Sequence, residues 1–173
     1  MPDFIQLTEE ICEQAYELVR PAIEHGMHGG DPTFGNDAGH LVVLDPTVAY
    51  DSTLASGAGE DAFLSRVVLF ARDLGNVDPA GEIPFASMAL EKAYISWKTG
   101  RSSHLVAQDS PYLFEPGTNH WGGSAVGPGG IVAAFAGNHW YFDQFVSEMV
   151  ISAIRALCLR EISDELMAFW KSF

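Results

Sequence analysis

The stretch GGSAVGPGGIVAAFAGNHWYFD, residues 122–143, decides the fold. It reads as two strands around a Gly-Pro turn, Trp121–Val126 lying antiparallel to Ile131–Ala136. The second strand is small and apolar throughout, which implies burial on both faces or a close backbone approach. Seven of the 17 glycines fall between residues 117 and 137, so tight turns and close contacts are concentrated here. A helix follows directly. Phe142, Phe145, Val146, Met149, Val150, Ala153, Ile154, Leu157 and Cys158 recur every three or four residues, the spacing of one buried helical face. After a break near Ser163-Asp164, Ile162, Leu166, Phe169, Trp170 and Phe173 continue the pattern as a second terminal helix.

Upstream, Thr8 is an N-cap with Glu9 and Glu10 in the favourable first turn. Ile11, Ala15, Leu18, Val19, Ala22 and Ile23 mark a first helix that buries one face. Pro21 is expected to kink it, Gly26 to end it, and His25 to extend its buried stripe. His40–Leu44 (HLVVL) is a short strand closed by Asp45-Pro46. Phe63, Val67, Phe70, Ala71 and Leu74 read as an inserted second helix ending at Gly75. Pro84 suits the first turn of a third helix running to Thr99 before Gly100. The order α-β-α-α-β-β-α-α predicts an α+β fold, a small antiparallel sheet flanked by helices.

The chain has 173 residues, enough for one domain. Its net charge is −14 and it has no basic cluster, which excludes a phosphate-backbone reader. Cys12 and Cys158 lack CxxC spacing, so no disulfide framework is expected. The N-terminus MPDFIQLTEE is neither basic nor apolar, and no apolar run reaches membrane-spanning length. A cytoplasmic protein with no membrane or nucleic-acid partner is the expectation.

Several segments together resemble the GlcG/HbpS-like family, which includes the C-terminal domain of PduO-type proteins. Ala89–Ala93 (ALEKA) is similar to the family's A-x-x-K-A helix, Gly122–Val126 to its G-G-x-P-[IV] strand, Gly130–Gly137 to its second glycine-bounded strand, and Asp143 to the acidic residue opening its last helix. DAGHLVVL is similar to the V-V-D-x-x-G-x-L-V segment. The resemblance spans roughly residues 8–158, apart from an insertion at about 46–82, and a C-terminal extension follows from about 160 to 173. Departures are DPTFGND in place of a V-x-V-V-D strand, DPTVAYD in place of an R-M-D triplet, and Ala136-Gly137-Asn138 in place of V-S-G. The resemblance implies a profilin-like single domain over residues 1–173, usually a homo-oligomer, with haem as the candidate cofactor of several members.

Six histidines stand out beside only nine Lys and Arg. His25 and His28 bracket the end of the first helix, and His25 is the candidate haem-iron ligand because it would face the apolar side. N-H-W occurs twice, at Asn119-His120-Trp121 and Asn138-His139-Trp140, one before the hairpin and one after it. Antiparallel pairing would bring both to one end of the sheet, where Tyr141 joins them in an aromatic-walled pocket for a small molecule. Lys92 and Arg101, with His104, are the candidate contacts for a ligand carboxylate.

Two readings follow. The first is binding of haem or another hydrophobic small molecule. The second is a cofactor-independent isomerase, dehydratase or lyase, in which His139 or His120 moves a proton, Asp143 or Glu91 orients it, and Asn119 or Asn138 polarises a carbonyl. No metalloprotease, nucleophile-elbow or phosphate-loop motif is present.

Overall fold

The structure is a computed structural model. It describes residues 7–28, 37–48, 50, 66–76, 83–114, 116–118 and 120–171, the side chains at 28, 165, 166, 169 and 170 excepted. Within these residues the elements are α1 (Glu9–His28), β1 (Ala38–Leu44), β2 (Val68–Gly75), α2 (Phe85–Thr99), α3 (Ser103–Asp109), β3 (Ser124–Val126), β4 (Val132–Ala136) and α4 (Trp140–Lys171). The strands form one antiparallel sheet in the order β2-β1-β4-β3. The α+β expectation is therefore met.

The central strands are apolar on both faces because both faces are covered. Leu41 and Val43 of β1, with Ala133 and Phe135 of β4, enter a core closed by α1 and α4. Their neighbours Val42, Leu44, Val132, Ala134 and Ala136 point the other way, onto Ala89, Ala93 and Trp97 of α2. Alternation of side chains along a strand thus feeds two cores from one short sequence. The expected hairpin is present, but its register is one residue from the expected pairing of 121–126 with 131–136: Val126 lies opposite Val132 and Ser124 opposite Ala134, the turn taking in Ile131. Its first strand is only three residues long, so Trp121 lies outside the ladder.

Three expectations are overturned. Val68–Gly75 is not an inserted helix but a strand paired with β1, Ala38 opposite Gly75. Phe70 and Leu74, four apart, also fit a strand in which the residue between them shares their face. That residue is Arg72, whose guanidinium lies over the rings of Tyr16 and Phe70 and pairs with Glu13. A charged side chain of this kind covers apolar surface with its stem, so the strand's period of two is hidden. The element order becomes α-β-β-α-α-β-β-α. Of the rest of the expected insertion (46–82), residues 49, 51–65 and 77–82 lie outside the described residues. Second, the last two helices are one, continuous through Ser163 and Asp164.

Third, the stripe of α1 turns differently. Ile11, Cys12, Ala15, Tyr16, Ile23 and Met27 are buried, whereas Leu18, Ala22 and His25 are exposed. Gly26 does not end the helix. A Cβ there would sit 2.5 Å from Cε2 of Phe142, so the glycine allows α1 and α4 to approach. The Thr8 cap is present, its Oγ1 accepting from the Ile11 N–H at 3.3 Å. Gly100 takes the left-handed conformation that closes α2, its N–H donating to the Ser96 carbonyl.

Candidate functional site

Three buried serines set the geometry of the site. Ser96 of α2 and Ser124 of β3 share a 2.7 Å hydroxyl contact. The Ser124 N–H donates to Ser103 Oγ and the Ser103 N–H donates to Ser124 Oγ, each at 3.2 Å. This reciprocal pair fixes the start of α3 against the start of β3. The adjoining Gly122-Gly123 is consequently held between two very different surroundings.

On one side lies a sealed polar pair. The Lys92 ammonium, 1% exposed, donates to Asp143 Oδ2 at 2.6 Å and to the Phe135 carbonyl at 3.1 Å. Asp143 Oδ1 accepts from the Asn138 N–H at 2.9 Å. Burial pushes the Asp143 carboxyl up to about 6, while Lys92 and the N–H groups of Asn138 and Gly137 pull it down. Ser147 Oγ donates to the Gly123 carbonyl at 2.8 Å, tying α4 to the same glycine. A Cβ on Gly123 would lie 2.7 Å from Asp143 Cβ and 2.9 Å from Lys92 Nζ.

On the other side is an open groove of about 390 Å³, lined by His104, Ala107, Gln108, His120, Trp121, Gly122 and Trp140. The His104 ring stacks on Trp140 with centroids 6.0 Å apart, and His120 packs on Phe114 at 4.8 Å. Trp121 and Trp140 remain 58% and 42% exposed. Nδ1 of His104 lies 3.1 Å from Gln144 Oε1. Ligand sites are typically concave and mainly apolar, with few polar groups and volumes of about 300–1,000 Å³.

The expected residues divide accordingly. His120, Trp121 and Trp140 do come together. His139 and Tyr141 do not line the groove but stack on each other, centroids 5.5 Å apart. Asp143 faces Lys92 and backbone, so the carboxylate expected to orient His139 is committed elsewhere. Lys92, expected as an anion contact, is occupied by Asp143. Arg101 pairs with Asp109 on the surface. Glu91 is half-buried on α2, and the Asn138 N–H serves Asp143. His25 is exposed rather than on the buried stripe, which removes the reason for choosing it as an iron ligand. Asn119 and the side chain of His28 lie outside the described residues.

Gln108 and Gln144 were not anticipated. Gln144 stands four residues before Glu148, a spacing that places both on one helical face and could have drawn attention to it. Among the described residues no group of three or more His, Cys, Asp or Glu is arranged to hold a metal ion. Cys12 and Cys158 are free thiols. No helix among those residues is long and apolar enough to cross a membrane.

No protein-family profile matches the sequence, and no curated protein matches it. Solved structures do. The Klebsiella pneumoniae protein ORFY, a DUF336 protein, superposes with a TM-score of 0.53 at 13% identity, over 90% of this chain and 95% of that one. The Ybr137w protein gives 0.56 at 10% identity, over 86% and 78%. A double mutant of Streptomyces reticuli HbpS gives 0.50 at 18% identity, over 91% and 90%. The resemblance read from the sequence is thus met at the level of architecture: this chain has the fold shared by ORFY and HbpS.

Proposed function

We propose that the protein binds a planar, largely hydrophobic small molecule in the groove between α3, Gly122 and the start of α4. The observation that carries this reading is the convergence of two half-exposed indoles and two imidazoles on one concavity. Large aromatic rings left open to water are costly unless something covers them, and a flat ligand satisfies both tryptophans.

Haem is the first candidate, given the resemblance to a family with haem-binding members. The donor set suits it in part. His104 and His120 carry the nitrogen donors that hold haem iron, and the indoles offer flat apolar surfaces. Among the described residues no Lys or Arg lines the groove, so both propionates would face water. When bound, haem would supply an iron centre for ligand binding or redox chemistry, with His104 or His120 as the residues that could hold it. The chain's own part is to stack the ring, present an imidazole and exclude water from one face.

The test is an absorption titration with haemin of the wild type, Trp121→Ala and His120→Ala. A saturable Soret shift weakened at least tenfold in Trp121→Ala supports the groove. An unsaturable shift, or one indifferent to Trp121, removes haem. Quenching of tryptophan fluorescence by other planar aromatics then takes its place.

Self-association is part of the same reading. Leu18 of α1 and Phe145, Leu159 and Ile162 of α4 are exposed apolar residues on the two helices that close one core. Light scattering on the eluted protein is expected to show a multiple of 18.8 kDa, and a strict monomer refutes it.

A further inference from the structure

The two ring nitrogens of His104 are not equivalent. Nδ1 faces the side-chain amide of Gln144, and that amide cannot be turned round at will. Its Nε2 lies 2.8 Å from Glu148 Oε1, four residues along α4. A carboxylate only accepts, so the nitrogen of the amide must point there and the oxygen must point to the imidazole. An amide oxygen also only accepts. Nδ1 therefore carries the hydrogen, and the neutral ring keeps its lone pair on Nε2. Among the described residues Nε2 has no hydrogen-bond partner.

The ring is also held in place. Gln144 is 7% exposed, so water competes poorly for its oxygen. Trp140 stacks on the imidazole. A Cβ on Gly122 would come within 2.8 Å of His104 Cβ and 3.0 Å of Trp140 Cε3. The absent side chain is what lets the stacked pair lie over the backbone. Supporting hydrogen bonds that select a tautomer in this way are characteristic of histidines that use the other nitrogen on a ligand.

We propose that Nε2 of His104 is the electron-pair donor of the groove, kept in that form by the Glu148–Gln144 chain. The ligand is then a planar molecule offering an electron-pair acceptor, either an iron centre or an N–H or O–H group. The ligand class rests on the binding reading above; the tautomer of His104 does not.

Two measurements separate the parts. Two-bond proton–nitrogen correlation spectra of histidine-labelled protein at pH 8, with His104→Asn identifying the signal, report which nitrogen carries the hydrogen. The expected result is Nδ1–H in the wild type and in Gln144→Glu, which retains an acceptor, and a shift towards Nε2–H in Gln144→Leu. A wild-type ring with hydrogen on Nε2, or a Gln144→Leu spectrum identical to wild type, overturns the inference. The second measurement compares haemin with metal-free protoporphyrin. Iron as the acceptor predicts that His104→Ala weakens haemin about tenfold or more and leaves the metal-free ring unaffected. A pyrrole N–H predicts that His104→Ala weakens only the metal-free ring. If both bind and neither responds to His104→Ala, Nε2 is not the donor. If neither binds the wild type, the porphyrin reading fails while the tautomer result still decides the role of Gln144.

Discussion

Gly122 and Gly123 are adjacent in sequence, yet their missing side chains serve opposite ends. Behind Gly123 the ionic and hydroxyl groups bond inside the protein: Lys92 to Asp143 and Phe135, Asp143 to Lys92 and Asn138, Ser147 to Gly123 itself. In front of Gly122 the His104 ring is aligned by Gln144, and two indoles are half open to water. One region holds the fold together, and the other is arranged for something that comes from outside.

The largest effect that would break this comparison is on the sealed side. Lys92→Met leaves Asp143 buried without its counter-charge, and at pH 8 it is expected to cost about 3–5 kcal/mol of stability, read from urea unfolding. A loss below about 1 kcal/mol would mean that water reaches the carboxylate, so that the two regions are not different in kind.

The carboxylate also gives the sealed region a pH signature. Its folded value of about 6 lies above the ordinary 3.8, so the native state holds this proton more tightly than the unfolded chain does. The corresponding stability is fully present below pH 3.8 and is lost as the pH rises through about 6. Unfolding midpoints of Asp143→Asn between pH 4 and 8 should lack that decline, and parallel curves for variant and wild type would refute it.

The sequence made one side of this comparison far more legible than the other. Thr8, Gly100 and the hairpin itself are local signals, decided by residues a few positions apart, and they fall where the sequence puts them, while Pro84 caps α2 one position before its first residue and the hairpin register shifts by one. β2 was misread because Arg72 interrupts its apolar face, leaving Phe70 and Leu74 at a spacing that helices share. Lys92 could be read only as a surface or ligand-contacting residue, since its partner lies 51 positions away. The doubled N-H-W pattern did lead to His120, Trp121 and Trp140. Their mates His104 and Gln144 meet only because α3 and α4 are folded together, 40 residues apart. Hence the core and the turns were legible, while the pairing of polar side chains across elements was not.

Substituting the two glycines tests the division directly. Gly123→Ala places a Cβ against Asp143 and Lys92 at a φ of +128°, where side chains are disfavoured. It is expected to destabilise the protein by about 1–3 kcal/mol. Gly122→Ala meets groove side chains instead. Its stability cost should be smaller, with the damage appearing as weaker haemin binding once the His104–Trp140 stack is pushed aside. The reverse order, with Gly122→Ala unfolding more readily, would show that the groove wall is part of the structural centre.

The smallest effect on stability is the most informative about function. Trp121 is 58% exposed and lies outside the β-ladder, so Trp121→Ala removes little packing from the folded state. Its unfolding midpoint should stay within about 0.5 kcal/mol of wild type, as for other exposed positions. If the variant is unchanged in stability and has lost haemin, the indole belongs to the ligand. If it unfolds by more than about 1 kcal/mol, Trp121 supports the chain entering β3 and the groove is narrower in purpose than its lining implies. Trp140 supplies the internal control. It stacks on His104 and opens α4, so Trp140→Ala should lose stability and binding together, whereas Trp121→Ala separates them.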